Sequence, residues 1–341
     1  MSQAELERIQ RDLDITYRAQ GAILGMAVAD ALGAPYEFGR VRPGVRFTGG
    51  LEDMTGGNGW EPGEWTDDTA MAIPILYALD HGPGLHTAQA QDSIVAAWVE
   101  WARDAKDVGT QTRQVLSRLR EPTAADSTVA AYEVHVEHGR SGGNGSVMRT
   151  APVGLAYMGD ADGPPKVAEV ARAIAALTHF EADARDAAAL WSVAVHLAVR
   201  DGCFQVADAL AVLDEPARSR WAGLLAAAEG ADPDSFEHNG WVVHAVQAAW
   251  AAMVAGGLDV ARAETHTEAG FVAVMNAAVD VHNDSDTVAA IAGGLAGALV
   301  GARAIPNGWA RRLHGWPVVE GQSMQTKGLV RLAMRAVNSR G

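Results

Sequence analysis

A single cysteine, Cys203, leaves this chain with no means of forming an intramolecular disulfide, which fits a reducing compartment. Aromatic residues make up only 6% of it, and β-branched or aromatic runs of strand type are scarce. Basic residues are also in short supply: 27 Lys and Arg against 42 Asp and Glu give a formal net charge of -15. Non-specific nucleic-acid binding depends on neutralising phosphates with Lys and Arg, so that class is disfavoured. An anionic small substrate is still allowed, because bound cations and backbone N–H groups can reverse the local potential. Met1 to Gln20 has no apolar stretch of signal-peptide type. The most apolar run, Val288 to Ala302, stops at Arg303 and falls short of the ~20 residues that span a bilayer. We read it as a buried helix and take the cytoplasm as the default location.

What is present is alanine, in quantity, and helical spacing. Leu6, Ile9 and Leu13 mark an amphipathic N-terminal helix, and the segment from about Ala19 to Leu32 carries Gly21, Gly25 and Ala29 four residues apart. A stripe of such small residues lets another helix backbone approach closely. Gly39 to Glu64 is rich in Gly and Pro without periodicity, and reads as a long loop. Loops of that length in a compact protein are often functional. Helical patterns cover Thr66 to Asp80, Ala88 to Arg103, Gly109 to Arg120, Lys166 to Leu177, Ala182 to Arg200 and Pro216 to Ala228. They continue through Trp241 to Ala255, Glu264 to Val281 and Asp286 to Ala302, the last with Gly293, Gly297 and Gly301 on one face. Pro74 predicts a kink or a tightened first turn in its helix. No linker divides the chain, so the expectation is one all-α domain over residues 1–341, a compact orthogonal helical bundle with its motif-bearing core at about 19–315.

Two segments carry the chemistry: Trp65-Thr66-Asp67-Asp68-Thr69 and Asn283-Asp284-Ser285-Asp286-Thr287. Each sets several oxygen donors at the start of an apolar helix. For one such cluster, N-capping is an adequate explanation. Capping needs only one side chain, however, and these motifs crowd two carboxylates into each first turn. Clustered carboxylates repel one another unless a cation compensates. If the clusters meet, Thr66, Asp67, Asp68, Asp284, Asp286 and Thr287 offer an all-oxygen ligand set, suited to Mg²⁺ or Mn²⁺ rather than zinc. Two ions about 3.5–4 Å apart could share a bridging carboxylate there. Spacing along the chain does not show that the clusters meet.

At these residues the chain resembles the ADP-ribosylglycohydrolases. The matching segments are Gly21-Ala22-Ile23-Leu24-Gly25, Asp30-Ala31-Leu32-Gly33-Ala34-Pro35-Tyr36-Glu37-Phe38 and Trp65 to Met71. In the same order follow Asp107-Val108-Gly109, Gly143-Asn144-Gly145-Ser146-Val147-Met148-Arg149, Asp284-Ser285-Asp286-Thr287, and Ile305-Pro306 with Trp309. The resemblance implies an all-helical fold, a binuclear Mg²⁺ or Mn²⁺ centre held by the six oxygen donors named above, and hydrolysis of the glycosidic bond in ADP-ribosylated substrates. It implies catalytic roles for Asp67 and Asp286, and for Glu37 a place beside the metals as a catalytic or substrate-gating carboxylate. It also implies that Gly143, Asn144, Gly145 and Ser146 bind ADP-ribose, that Gly109 binds substrate, that Asp107 faces the leaving group and that His179 lies near the substrate. A Gly-rich loop can turn backbone N–H groups to an anion. Asp107 would suit a guanidinium, which makes ADP-ribosyl-arginine the favoured substrate; modified serine, O-acetyl-ADP-ribose and modified nucleic acid stay open. The expected partner is an ADP-ribosylated protein or small conjugate, with no membrane and no obligatory oligomer. The alternatives are an ADP-ribose-binding protein without turnover and a metal-dependent pyrophosphohydrolase. Three positions depart from the family pattern: Ala29 before Asp30, His282-Asn283 before Asp284, and Phe180 after Thr178-His179. None is a proposed metal ligand.

Overall fold

The first helix explains why the site exists. In the computed structural model, which describes residues 2–40, 42–81 and 84–338, helix α1 runs unbroken over Gln3–Gly33. The two helical segments read from the sequence fuse, because no Gly or Pro lies between Leu13 and Ala19 to interrupt them. Ser2 and Glu5 close its N-terminus with a reciprocal capping box. Its first half, including Leu6, Ile9 and Leu13, is exposed; Ala19 to Gly33 is buried throughout.

Thirteen further α-helices follow among the described residues. They are α2 (Asp67–His81), α3 (Ala88–Trp101), α4 (Thr110–Leu116), α5 (Ala124–His138), α6 (Gly163–Ala176) and α7 (Ala182–Asp201). Next come α8 (Val206–Leu210), α9 (Ala217–Ala228), α10 (Val242–Ala255), α11 (Glu268–Val279), α12 (Ser285–Val300) and α13 (Asn307–Ala310). A small antiparallel hairpin, β1 (His314–Val319) with β2 (Gln322–Gln325), precedes α14 (Thr326–Asn338). The fold is thus all-helical apart from this hairpin, whose turn at Glu320 and Gly321 has positive φ at both residues, as two-residue hairpin turns favour.

Helix α12 lies along the buried half of α1, and the two small-residue stripes meet. A Cβ on Gly21 would fall on the Gly297 carbonyl, one on Gly25 on the Gly293 carbonyl, and one on Gly297 on the Gly21 carbonyl. Only glycine permits that approach. One continuous apolar cluster extends from Ala19 to Ala336 around this pair. α12 is the buried helix expected for the Val288 run, and no helix among the described residues is long and apolar enough to cross a membrane.

Some boundaries moved. The helix expected from Glu264 begins at Glu268, because the Thr267 side chain accepts from the Gly270 N–H and caps it. The helix expected over Gly109 to Arg120 ends at Leu116, and α2 runs through Pro74 as a helix-internal proline. Among the described residues the long loop between α1 and α2 holds short single turns, including Leu51–Asp53, and isolated bridges such as Gly57 to Trp60.

Candidate active site

The N-termini of α2 and α12 converge beside the end of α1. Gly33 makes this possible, since a Cβ there would collide with the backbone of Asp286. Asp30, one turn earlier on α1, caps α2 from outside. Its carboxylate accepts from the N–H groups of Thr66 (2.9 Å) and Thr69 (3.0 Å) and from the Thr69 hydroxyl (2.6 Å). With the cap supplied by Asp30, the oxygens of Thr66 and Asp68 are left to face α12. Thr66 Oγ1 lies 3.2 Å from Asp68 Oδ2 and 3.5 Å from Asp286 Oδ2, and Thr287 Oγ1 lies 3.3 Å from Asp68 Oδ2. Asp284 precedes α12 but makes no side-chain capping bond; it accepts instead from Asn144 Nδ2 at 2.7 Å. Capping therefore does not account for either cluster.

Two sets of carboxylates, Asp30–Asp68–Asp286 and Glu37–Asp284–Asp286, each place oxygens within 4.8 Å of one another. Asp68 Oδ1 and Asp286 Oδ1 are buried and accept no hydrogen bond among the described residues. A buried carboxylate oxygen with no donor carries a large desolvation cost, which a cation would offset. The donor set is all oxygen and crowded, so it fits a hard divalent ion.

Electrostatics tell the same story. Without a cation, burial pushes the Asp67 carboxyl up to about 7, helped by Asp107 and Asp30 and opposed by a bond from the Gly109 N–H. Burial and then Asp284 and Asp67 push Glu37 up to about 9. Asp68 and Asp286 are raised well above the carboxylate range, by burial first and neighbouring acids second. Burial lifts Asp30 to about 6 against the hydrogen bonds it accepts from Thr66 and Thr69, and raises Asp284 too.

Over this acidic floor opens a cavity of about 340 Å³. Its wall carries Glu37, Asp67, Asp107, Gly109, Gly143, Asn144, Gly145, His179, Asp284 and Thr287, which the sequence had singled out from widely separated segments. Ser146 is not part of that wall: its hydroxyl donates to the Gly143 carbonyl (2.9 Å) and tightens the loop from within. The loop is anchored by Asn144 N–H to Gly240 O and Val242 N–H to Gly142 O, so Gly143 sits opposite Trp241. Asn144 Nδ2 also donates to Asn239 O at 2.8 Å.

Sequence reasoning missed several contributors. Asp30 has no local pattern that marks it as a helix cap, although an acid inside the apolar, small-residue stretch Ala19 to Gly33 has to find buried donors. Gln111 was not singled out; its Nε2 donates to the carbonyls of Thr178 (2.7 Å) and Ser141 (3.1 Å), tying α4 to the loops beside the cavity. Phe38, exposed at the cavity mouth with φ 60°, and Arg149, fully buried, carried no local pattern that assigned them a task.

A family model described as ADP-ribosylglycohydrolase matches residues 11–340 of the chain. The chain belongs to that family. As an ADP-ribosylglycohydrolase it is an enzyme of the class that hydrolyses ADP-ribosyl linkages. Among its relatives, the ADP-ribosyl-dinitrogen reductase glycohydrolase of Rhodospirillum rubrum is 30% identical over 301 residues, covering 87% of this chain and 90% of the relative. An ADP-ribosylarginine hydrolase of Pseudomonas putida is 29% identical over 314 residues, covering 87% of this glycohydrolase and 74% of the relative. A solved structure titled ADP-ribosylglycohydrolase-related protein complex superposes with a TM-score of 0.65 and 27% identity, over 95% of this chain and 98% of that one.

Proposed function

We propose that this glycohydrolase removes ADP-ribose from ADP-ribosyl-arginine, using two Mg²⁺ or Mn²⁺ ions held by Thr66, Asp67, Asp68, Asp284, Asp286 and Thr287. The observation that carries the reading is the convergence of two acidic helix starts with orphaned oxygens on Asp68 and Asp286. The chain would work as one domain, in keeping with its single large apolar cluster. Family membership supports the bond class, and the naming of a relative as an ADP-ribosylarginine hydrolase supports the acceptor.

Cleavage at the anomeric carbon builds positive charge on the ribose. Divalent ions in this cage would supply Lewis-acid polarisation of ribose hydroxyls and of water. The protein's own groups do the remaining work. Glu37, at the edge of the cage and facing Asp284 and Asp67, is the proton-transfer group at its carboxyl oxygen. Asp107, on the cavity wall, pairs with the departing guanidinium. Gly143 and Gly145 offer a loop without side chains against which the ADP-ribose moiety lies.

The test is a panel of ADP-ribosylated substrates, assayed with Mn²⁺, with Mg²⁺ and with chelator. Free ADP-ribose released from ADP-ribosyl-arginine in the presence of metal is the expected product. AMP would instead mean pyrophosphate cleavage, and binding without product would mean a scaffold; either would sink the proposal.

A further inference from the structure

Arg149 is fully buried, and no carboxylate forms an ion pair with it among the described residues. Its guanidinium lies over the Trp98 ring at 4.2 Å and its Nε has no hydrogen-bond partner. Such a costly placement calls for a purpose. Its shortest bond runs from Nη2 to the Thr178 hydroxyl, 2.6 Å, and that hydroxyl lies 2.7 Å from Nδ1 of His179, whose ring lines the cavity.

Counting protons along this chain decides the direction. A guanidinium only donates, so Thr178 Oγ1 accepts from Arg149. The threonine hydroxyl proton then needs an acceptor, and among the described residues its available partner is His179 Nδ1. Were Nδ1 protonated, Thr178 Oγ1 could accept from it as well as from Arg149, but the hydroxyl proton would be left without an acceptor in a fully buried position. With Nδ1 accepting, a neutral ring carries its proton on Nε2. That edge of the ring is pressed against the glycine loop: a Cβ on Gly143 would come within 3.0 Å of Nε2, and one on Gly145 within 3.4 Å.

We propose that Arg149 and Thr178 are positioning residues that lock His179 as a neutral imidazole with Nε2–H turned to the glycine loop, where it donates to an oxygen of the bound ligand. The proposal rests on the ADP-ribose reading, and that oxygen belongs to a diphosphate or a ribose hydroxyl. His179 on this account is a fixed donor and takes no proton from water or leaving group. Burial and the nearby Arg149 charge also hold its pKa well below the ordinary histidine value, which agrees with a neutral ring.

The test is long-range ¹H–¹⁵N correlation NMR on the full-length protein without ligand, with the His179 signals assigned by their loss in His179→Gln. A protonated Nε2 and a bare Nδ1 in the native protein are expected, giving way to a mixture of tautomers in Thr178→Val and returning in Thr178→Ser. In parallel, Thr178→Val should raise KM for ADP-ribosyl-arginine by about tenfold, more than it lowers kcat, with Thr178→Ser restoring it. A proton on Nδ1 in the native protein, or the same tautomer in Thr178→Val, would overturn the proposal. Because the NMR needs no substrate, the stated tautomer in a protein that releases no ADP-ribose would refute the substrate reading separately.

Discussion

The hydroxyl of Thr66 lies 3.5 Å from Asp286 Oδ2, across 220 positions of sequence. That separation joins the first turn of α2 to the first turn of α12, and it turns two ordinary-looking helix starts into one acidic cage. Several outcomes depend on it.

The cage should make stability depend jointly on pH and metal. Asp67, Asp68, Asp286 and Glu37 all bind protons more tightly in the ion-free fold than ordinary carboxyls do. The folded form therefore holds more protons than the unfolded chain above pH of about 4. Stability is then lost as pH rises from there through the raised values, about 7 for Asp67 and about 9 for Glu37. Chelated protein should accordingly melt at a lower temperature at pH 8 than at pH 5.5. Adding Mn²⁺ at about a hundredfold over its Kd at pH 8 should restore about 2.7 kcal/mol there, and the same Mn²⁺ concentration should restore less at pH 5.5, where protons compete for the carboxylates. Calorimetry at the two pH values checks this; a metal effect that is larger at pH 5.5 would contradict it.

Removing one carboxylate should separate stability from activity. Asp68→Asn keeps the shape of the side chain and discards a buried acid whose Oδ1 has no donor. The chelated variant should be at least as stable as the chelated parent at pH 8, whereas metal-induced stabilisation and turnover both collapse, turnover by about a thousandfold or more. Asp67→Ala and Asp286→Ala should abolish metal uptake and hydrolysis together. Isothermal titration with Mn²⁺ beside a product assay reads both quantities.

Much of this arrangement was visible in the sequence because it is written in local chemistry. Doubled carboxylates at Asp67-Asp68 and Asp284–Asp286 exceed what a cap requires, and glycines spaced by four on two segments announce close helix packing. What could not be read is what depends on the meeting of remote surfaces. Asp30 caps a helix it does not belong to, and Arg149 acts through Thr178 on a third residue. The hairpin escaped because its strands, His314–Val319 and Gln322–Gln325, are too short for alternation to stand out. Leu6, Ile9 and Leu13 have the spacing of a buried face and are nonetheless exposed, since periodicity reports a face and not its partner.

The Asp30 cap makes its own prediction. Asp30→Ala withdraws the acceptor for the Thr66 and Thr69 amides, a loss worth about 1–2 kcal/mol for a helix cap. It also frees the Thr66 hydroxyl to turn toward the vacated amides. Metal affinity should drop by about tenfold, although Asp30 is not among the proposed ligands. Asp30→Asn, which retains an accepting oxygen, should recover part of it.

The helix pair offers a test remote from the cavity. Gly297→Ala places a methyl group on the backbone carbonyl of Gly21, and no flexible side chain is there to yield. α12 must shift from α1, at a cost of about 1–3 kcal/mol or more. Because α12 carries Asp286 and Thr287, metal affinity should fall with the melting temperature. Gly223→Ala, inside α9 with open space around its Cβ position, is the control: it should leave metal affinity unchanged and the melting temperature equal or slightly higher.

On the proposed reading acceptor preference turns on Asp107, which is partly exposed on the cavity wall beside Gly109 and whose charge, after burial, helps to raise the Asp67 carboxyl. A carboxylate there favours a cationic leaving group, and a charge-assisted bond of this kind contributes about 1.5–3 kcal/mol. Asp107→Asn should therefore reduce kcat/KM for ADP-ribosyl-arginine by about tenfold to a hundredfold. For a neutral leaving group such as that of O-acetyl-ADP-ribose, the same change should cost far less, because no guanidinium is lost from the pair. The ratio of the two kcat/KM values removes any common effect of Asp107 on the acidic cage, since a weakened metal site would slow both substrates alike. An unchanged ratio would show that Asp107 does not select the acceptor, and arginine would lose its main structural support.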